Sequence, residues 1–174
     1  MWSSFCKVCL HYPKYTGLTV SVTAFINLDS TPGSKPILFR STGSWLDEAY
    51  RNVPHPFATV VANDIFKLGV IHSDTDYTVY SGEATGSRPG LDFAFFSERQ
   101  RYHTDHDTFV YNGSLQFMGD NTFALASYIV GTPMSAETVD DRTAHAYFTV
   151  YNTVFIAYSK LFSFVAHLIF TVLI

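Results

Sequence analysis

Leu91-Asp92-Phe93-Ala94-Phe95-Phe96, followed five residues later by Tyr102-His103-Thr104-Asp105-His106-Asp107-Thr108, is the passage on which the reading of this chain turns. The first part is an apolar run of the length and composition of a buried strand. The second, with Arg101 before it, gathers two histidines and two carboxylates into eight residues. An α/β sheet presents its ligands from loops at the carboxyl ends of strands, and imidazole and carboxylate are donors that zinc accepts. The loop therefore reads as the rim of a metal site. The same residue types also build solvated turns in which Asp and Thr side chains hold backbone groups, and that reading stands beside the first.

Upstream, Leu18 to Leu28 (LTVSVTAFINL) is β-branched and apolar, and almost wholly apolar after Thr23. Such a run suits a strand covered on both faces. It ends at Asp29, before the turn residues Ser30-Thr31-Pro32-Gly33, so Asp29 falls at a strand end beside the presumed site. Pro36 to Thr42 predicts a second, shorter strand. Ser44 is expected to cap a helix starting at Trp45, with Asp47 and Glu48 in its first turn, that stops before Pro54. Val60, Val61, Ile65 and Leu68 recur at helical spacing within Phe57 to Leu68, and Gly69 would close that helix. Ser73-Asp74-Thr75-Asp76 reads as an Asx or ST turn feeding a strand at Tyr77 to Tyr80. Ser114 to Val130 predicts a helix packed back over the sheet. Strand and helix alternate, which indicates an α/β layer architecture.

Composition bounds the function. Hydrophobic residues make up 47% of the 174 residues and charged ones only 15%, an apolar excess that must face a membrane or a partner surface. The net charge of −4 and pI near 5.9 supply no basic footprint, so no nucleic-acid partner is expected. Cys6 and Cys9 form a lone C-x-x-C without the second ligand pair of a zinc site or the βαβ context of a redox pair. Met1 to Cys9 also lacks the apolar core and cleavage site of a secretory signal.

The chain divides on this reading into an unassigned segment 1–17, a domain 18–134, a polar linker 135–146 and an apolar segment 147–174. From Ala144 onward the only charged residue is Lys160. A helix over Leu161 to Ile174 would reach only about 21 Å at 1.5 Å per residue, against a hydrocarbon core of about 30 Å. Extending it back to about Tyr147 gives the length but encloses Lys160, which would have to snorkel to the interface. The segment is therefore expected to be membrane-associated, as the start of a transmembrane helix.

Seven motifs in order carry a resemblance: Phe25-Ile26-Asn27-Leu28-Asp29, Pro36-Ile37-Leu38-Phe39-Arg40, His55-Pro56-Phe57-Ala58, Ser73-Asp74-Thr75-Asp76-Tyr77, Gly90-Leu91-Asp92-Phe93-Ala94-Phe95, Tyr102-His103-Thr104 with Asp107, and Ser114-Leu115-Gln116 with Met118-Gly119-Asp120-Asn121. Together, from about Ala24 to Val130, they resemble the vacuolar membrane protease family of fungi and its animal relative, the endoplasmic reticulum metallopeptidase. The resemblance implies the C-terminal half of a three-layer αβα sandwich of the zinc aminopeptidase type, attached to a membrane region and lying on the lumenal side of a vacuolar or endoplasmic reticulum membrane. It implies a zinc metallopeptidase that removes N-terminal residues from peptides, with two zinc ions in the complete domain. Asp29 would match the late acidic zinc ligand, His103 the final histidine ligand and Tyr102 the position that stabilises the transition state. Asp107 would orient the loop, and Asp74 or Asp76 would border the substrate pocket.

The departures weigh as much as the matches. The family carries Glu followed by a glycine-rich turn where this chain has Asp29 and Ser30-Thr31-Pro32. No His-x-Asp precedes Asp29, and no Glu-Glu occurs anywhere. A hydrolytic zinc site needs about three protein ligands per metal and a positioned base. The expectation is a peptidase domain incomplete and inactive as given. The alternative is a non-catalytic, membrane-anchored remnant or interaction module.

Overall fold

The computed structural model describes residues 24–29, 33, 35–68, 75–81, 88–95, 97, 99–101, 104–108, 110–132 and 145–173. They form a mixed α/β fold. In chain order the elements are β1 (Phe25–Leu28), β2 (Pro36–Ser41), α1 (Ser44–Tyr50), α2 (Val60–Lys67), α3 (Asp76–Ser81), β3 (Gly90–Phe95), α4 (Ser114–Gly131), β4 (His145–Val150), β5 (Val154–Ser159) and α5 (Lys160–Leu173).

The first sheet has the order β1-β3-β2, with β1 parallel to β3 and β2 antiparallel to it. Period-2 alternation sorts its side chains. Leu38, Leu91 and Phe93 face a core built with Trp45, Leu46, Ala49 and Tyr50 of α1 and with Met118 and Leu125 of α4. On the other face Phe25 packs its ring against Tyr77 and Tyr80 of α3, at centroid distances of 5.4 and 5.5 Å. Helices therefore cover both faces of the strands, which is why LDFAFF reads as apolar almost without alternation. Gly90 lies opposite Phe25 in the ladder, and a Cβ there would sit inside the phenylalanine ring.

β2 carries an irregularity that decides the chemistry behind the site. Leu38 pairs with Phe93, but Arg40 pairs with Asp92, so Phe39 is an extra residue in a β-bulge. In a regular ladder that kept Phe39 in register, Arg40 would share the aliphatic face of Leu38. The bulge turns Arg40 to the face of Asp92 and α3 instead. The carbonyl of Phe39 accepts a 2.9 Å hydrogen bond from the hydroxyl of Tyr147.

That tyrosine belongs to the part of the chain where the structure departs furthest from the sequence reading. The expected helix from about Tyr147 is, up to Ser159, an antiparallel hairpin in which Tyr147 pairs with Ala157. The hairpin is joined to the first sheet through residues 57–59: Leu38 N–H donates to Phe57 O at 2.8 Å, and Thr149 N–H donates to Ala58 O at 3.1 Å. Tyr147 and Phe155 are buried in the common core, and the Phe155 ring meets Tyr50 edge-on at 4.8 Å. β-branched and aromatic residues alternating about the turn at Tyr151 and Asn152, both at positive φ, explain a hairpin here. Only α5 remains helical, over 14 residues, and none of them is buried. Among the described residues no helix is long and apolar enough to cross a membrane.

Two smaller expectations change. α1 begins one residue earlier than predicted, with Gly43 as its N-cap and no capping side chain, so Ser44 is the first helical residue rather than the cap. The strand expected at Tyr77 to Tyr80 is the helix α3. Its entry is an ST turn, in which Tyr77 N–H donates to Thr75 Oγ1 at 3.3 Å, and helical spacing brings Tyr77 and Tyr80 onto one face against Phe25.

Candidate functional site at the carboxyl edge of the sheet

Because β1 and β3 are parallel, their carboxyl ends emerge at the same edge. Asp29 lies there, half-buried, one residue beyond β1, and its backbone N–H donates to Phe93 O at 2.7 Å. That bond fixes residue 29 against the strand from which the histidine loop departs. After β3 the chain makes a 3-10 turn at Arg99–Arg101. Thr104 then organises the loop: its hydroxyl donates to Arg101 O at 2.6 Å and accepts from His106 N–H at 3.2 Å, while Asp107 N–H donates to Thr104 O at 3.0 Å. Asp105, His106 and Asp107 are exposed, the arrangement of a solvated turn.

Tyr102 and His103, the other two residues picked out for the site, lie outside the described residues, as do Asp74, Cys6 and Cys9. Asp76 is exposed in the first turn of α3. Among the described residues no group of three or more His, Cys, Asp or Glu side chains converges to hold a metal ion. Asp29 offers one carboxylate at the edge, so the described residues do not by themselves fit a zinc ion.

Behind this edge lies a polar network that sequence reading missed. Asp92, wholly buried at the middle of β3, accepts from Asn27 Nδ2 on Oδ1 at 2.8 Å. On Oδ2 it accepts from Arg40 Nε at 2.9 Å and from Thr75 Oγ1 at 2.8 Å, with Arg40 Nη2 also 2.8 Å away. Arg40 in turn donates to Thr75 and Thr78 and lies over the Tyr77 ring, 4.4 Å from its centroid. Burial pushes the Asp92 carboxyl up, and the Arg40 charge with the bonds from Asn27, Arg40 and Thr75 pulls it back. Tyr77 is raised chiefly by burial. The network ties β1 two residues before Asp29 to β2 and to the entry of α3. A signal existed in the sequence: Arg40 and Asp92 are charges inside two apolar strand runs, and buried charges of opposite sign seek each other. The pairing was hidden by the bulge at Phe39, which simple alternation does not foresee.

A parallel strand pair with an acidic residue at its carboxyl edge and helices on both faces defines an α/β domain that displays its ligands at strand ends. Comparison with known proteins then specifies the class. The model of peptidase family M28 matches residues 10–126. The chain belongs to peptidase family M28. It is 36% identical over 147 residues to the putative endoplasmic reticulum metallopeptidase 1 of Schizosaccharomyces pombe, covering 82% of this chain and 17% of that protein. It is 48% identical over 94 residues to a vacuolar membrane protease of Colletotrichum graminicola, covering 53% of this chain and 9% of that protein. With the endoplasmic reticulum metallopeptidase 1 of Rattus norvegicus it shares 37% identity over 144 residues, covering 79% of this chain and 16% of the relative. The chain thus spans no more than about a sixth of the length of these three relatives. No solved structure matches it significantly.

Proposed function

We propose that this chain supplies the late-ligand edge of a zinc aminopeptidase-type αβα sandwich: Asp29 and His103 would hold zinc, and Tyr102 would stand beside the reacting carbonyl. The observation that supports it is the parallel pairing of β1 with β3, by which Asp29 and the end of β3, from which the chain continues toward Arg101 and Thr104, leave the same sheet edge. Zinc, when bound, supplies a Lewis acid and an activated water for peptide hydrolysis. Two ligands without a general base do not complete such a site, so the polypeptide as given does not hydrolyse peptides by itself. Cobalt(II) titration followed by NMR tests the pairing. At millimolar metal, the amides of Leu28 and Thr104 should broaden together, and Asp29→Ala should abolish both effects. Broadening at one without the other would remove the shared site, and tight binding of two zinc ions by calorimetry would show that this chain holds a fuller ligand set than Asp29 and His103.

The relatives are named for the vacuolar membrane and the endoplasmic reticulum, and we infer a membrane location for this chain too, with the sheet on the lumenal side. α5 supports this: Leu161, Phe162, Phe164, Leu168, Phe170 and Val172 are all more than half exposed, and Lys160 at its start pairs with Asp64 at 3.5 Å outside the apolar stretch. Flotation with phosphatidylcholine vesicles should carry the intact chain but not a Phe164→Asp, Leu168→Asp variant; equal flotation of both would exclude α5 as the contact.

A further inference from the structure

A second carboxylate, in α1 just after β2, is also buried, and it lacks the donors that Asp92 has. Asp47, in α1, is 2% exposed. Neither of its carboxylate oxygens accepts a hydrogen bond. His145, the first residue of β4, nevertheless brings Nε2 to 2.8 Å from Oδ2, with side-chain exposures of 8% and 3% for the two residues. The distance is that of an ion pair, while the absence of a hydrogen bond at such range means that the approach is poorly aligned. The attraction is therefore mainly charge on charge, and it needs an imidazolium.

Among the described residues the surroundings offer no substitute cation. Glu48 of α1 and Arg51, the residue that ends it, are paired with each other at 2.8 Å and partly solvated, and Arg51 Nη2 donates to Ala157 O at 3.1 Å. From β4 the Tyr147 ring lies 5.7 Å from the His145 ring; burial first, and then the Asp47 charge, keep its phenol protonated. From β5, Tyr158 and Ser159 complete a cleft of about 210 Å³ that Asp47, Glu48, Arg51 and His145 also line. Among the described residues no lysine or second arginine lines it.

We propose that His145 and Asp47 form a pH-operated latch that holds the start of the C-terminal hairpin against α1, closed when the imidazole is protonated and eased as it loses its proton. The sign follows from linkage. An imidazole that gains a carboxylate partner on folding contributes stability that is complete below its unfolded value, about 6.5, and is lost as pH rises beyond its folded value. Above that range the buried side chain of Asp47 is left with neither cation nor donor, which favours opening of the cleft to solvent. The inference does not depend on a zinc site, since neither residue belongs to the sheet edge that carries Asp29.

Hydrogen exchange of the intact chain tests it. Thr149 N–H, which bonds Ala58 O, reports docking of the hairpin, and the amides of β3 serve as the internal reference. After correction for intrinsic exchange, protection of Thr149 relative to β3 should fall roughly tenfold between about pH 5.5 and about pH 8, the effect of about one pKa unit of linkage. Asp47→Asn and His145→Gln should each remove that fall. An unchanged ratio in the natural protein, or the same fall in Asp47→Asn, overturns the latch. Should either variant fail to fold, the ring resonances of the natural protein decide: the fall must track the titration of His145, and a fall that tracks His55, His106 or His167 defeats the proposal.

Discussion

Asp92 and Asp47 are both almost inaccessible to water, yet their surroundings differ in kind. Asp92 has a guanidinium, an amide and a hydroxyl donating to it. Asp47 has an imidazole at ion-pair distance and no hydrogen bond. Arginine keeps its charge at every pH a protein meets, so the first carboxylate is permanently compensated. Histidine gives up its charge near neutrality, so the second is compensated conditionally. Burial alone therefore does not say whether an acid is structural or responsive; the identity of its cation does.

The largest effect should come from removing the permanent cation. Arg40→Met leaves Asp92 buried without its counter-charge and is expected to cost about 3–5 kcal/mol in urea denaturation at neutral pH. Burial already raises the Asp92 carboxyl, and losing Arg40 raises it further. A group whose folded pKa is raised gives its stability below the unfolded value and loses it as pH rises. The deficit of the variant should therefore shrink as pH falls toward the carboxylate range, and a deficit constant with pH would break the contrast. Thr75→Val removes one donor while leaving the cation, and should cost about 1–3 kcal/mol by the same measurement. The smallest effect belongs to Asp47→Asn at about pH 5.5. It removes the attraction together with the cost of burying the charge, and should shift stability by about 1 kcal/mol, the size of the tenfold linkage. A loss as large as that of Arg40→Met would show that the two acids are held alike.

Much of the sheet was legible because its residues obey simple patterns. The run at Leu91 and the run at Pro36 were short, β-branched or aromatic, and bounded by turn residues, and both are strands within a residue of the expected limits. The helix from Ser114 follows from apolar spacing, although two of its apolar residues, Leu115 and Phe123, are 77% and 76% exposed. The failures share a physical cause: local pattern was overridden by what the segment packs against. Tyr77 to Tyr80 alternates like a strand, yet the Thr75 turn and the Phe25 ring select a helix. The 147–159 segment has the composition of a membrane helix but the alternation of a hairpin, and composition misled. At the site, Asp29 was placed at a strand end by sequence alone, and Asp107 lies in the turn that the plainer reading allowed. Arg40, Asp92, Asp47 and His145 were passed over because contacts across 52 or more residues of chain are not written locally.

The extra residue at Phe39 has a consequence for anyone comparing or rebuilding this chain. On a strand, deleting one amino acid ordinarily sends every later side chain to the other side, but Phe39 is the residue in excess. Without it Leu38 would still lie opposite Phe93 and Arg40 opposite Asp92, in an unbroken ladder, and what would be lost is the carbonyl on which the hairpin's tyrosine rests. The bulge thus lets the strand carry Phe39 for the hairpin without moving Arg40 off Asp92.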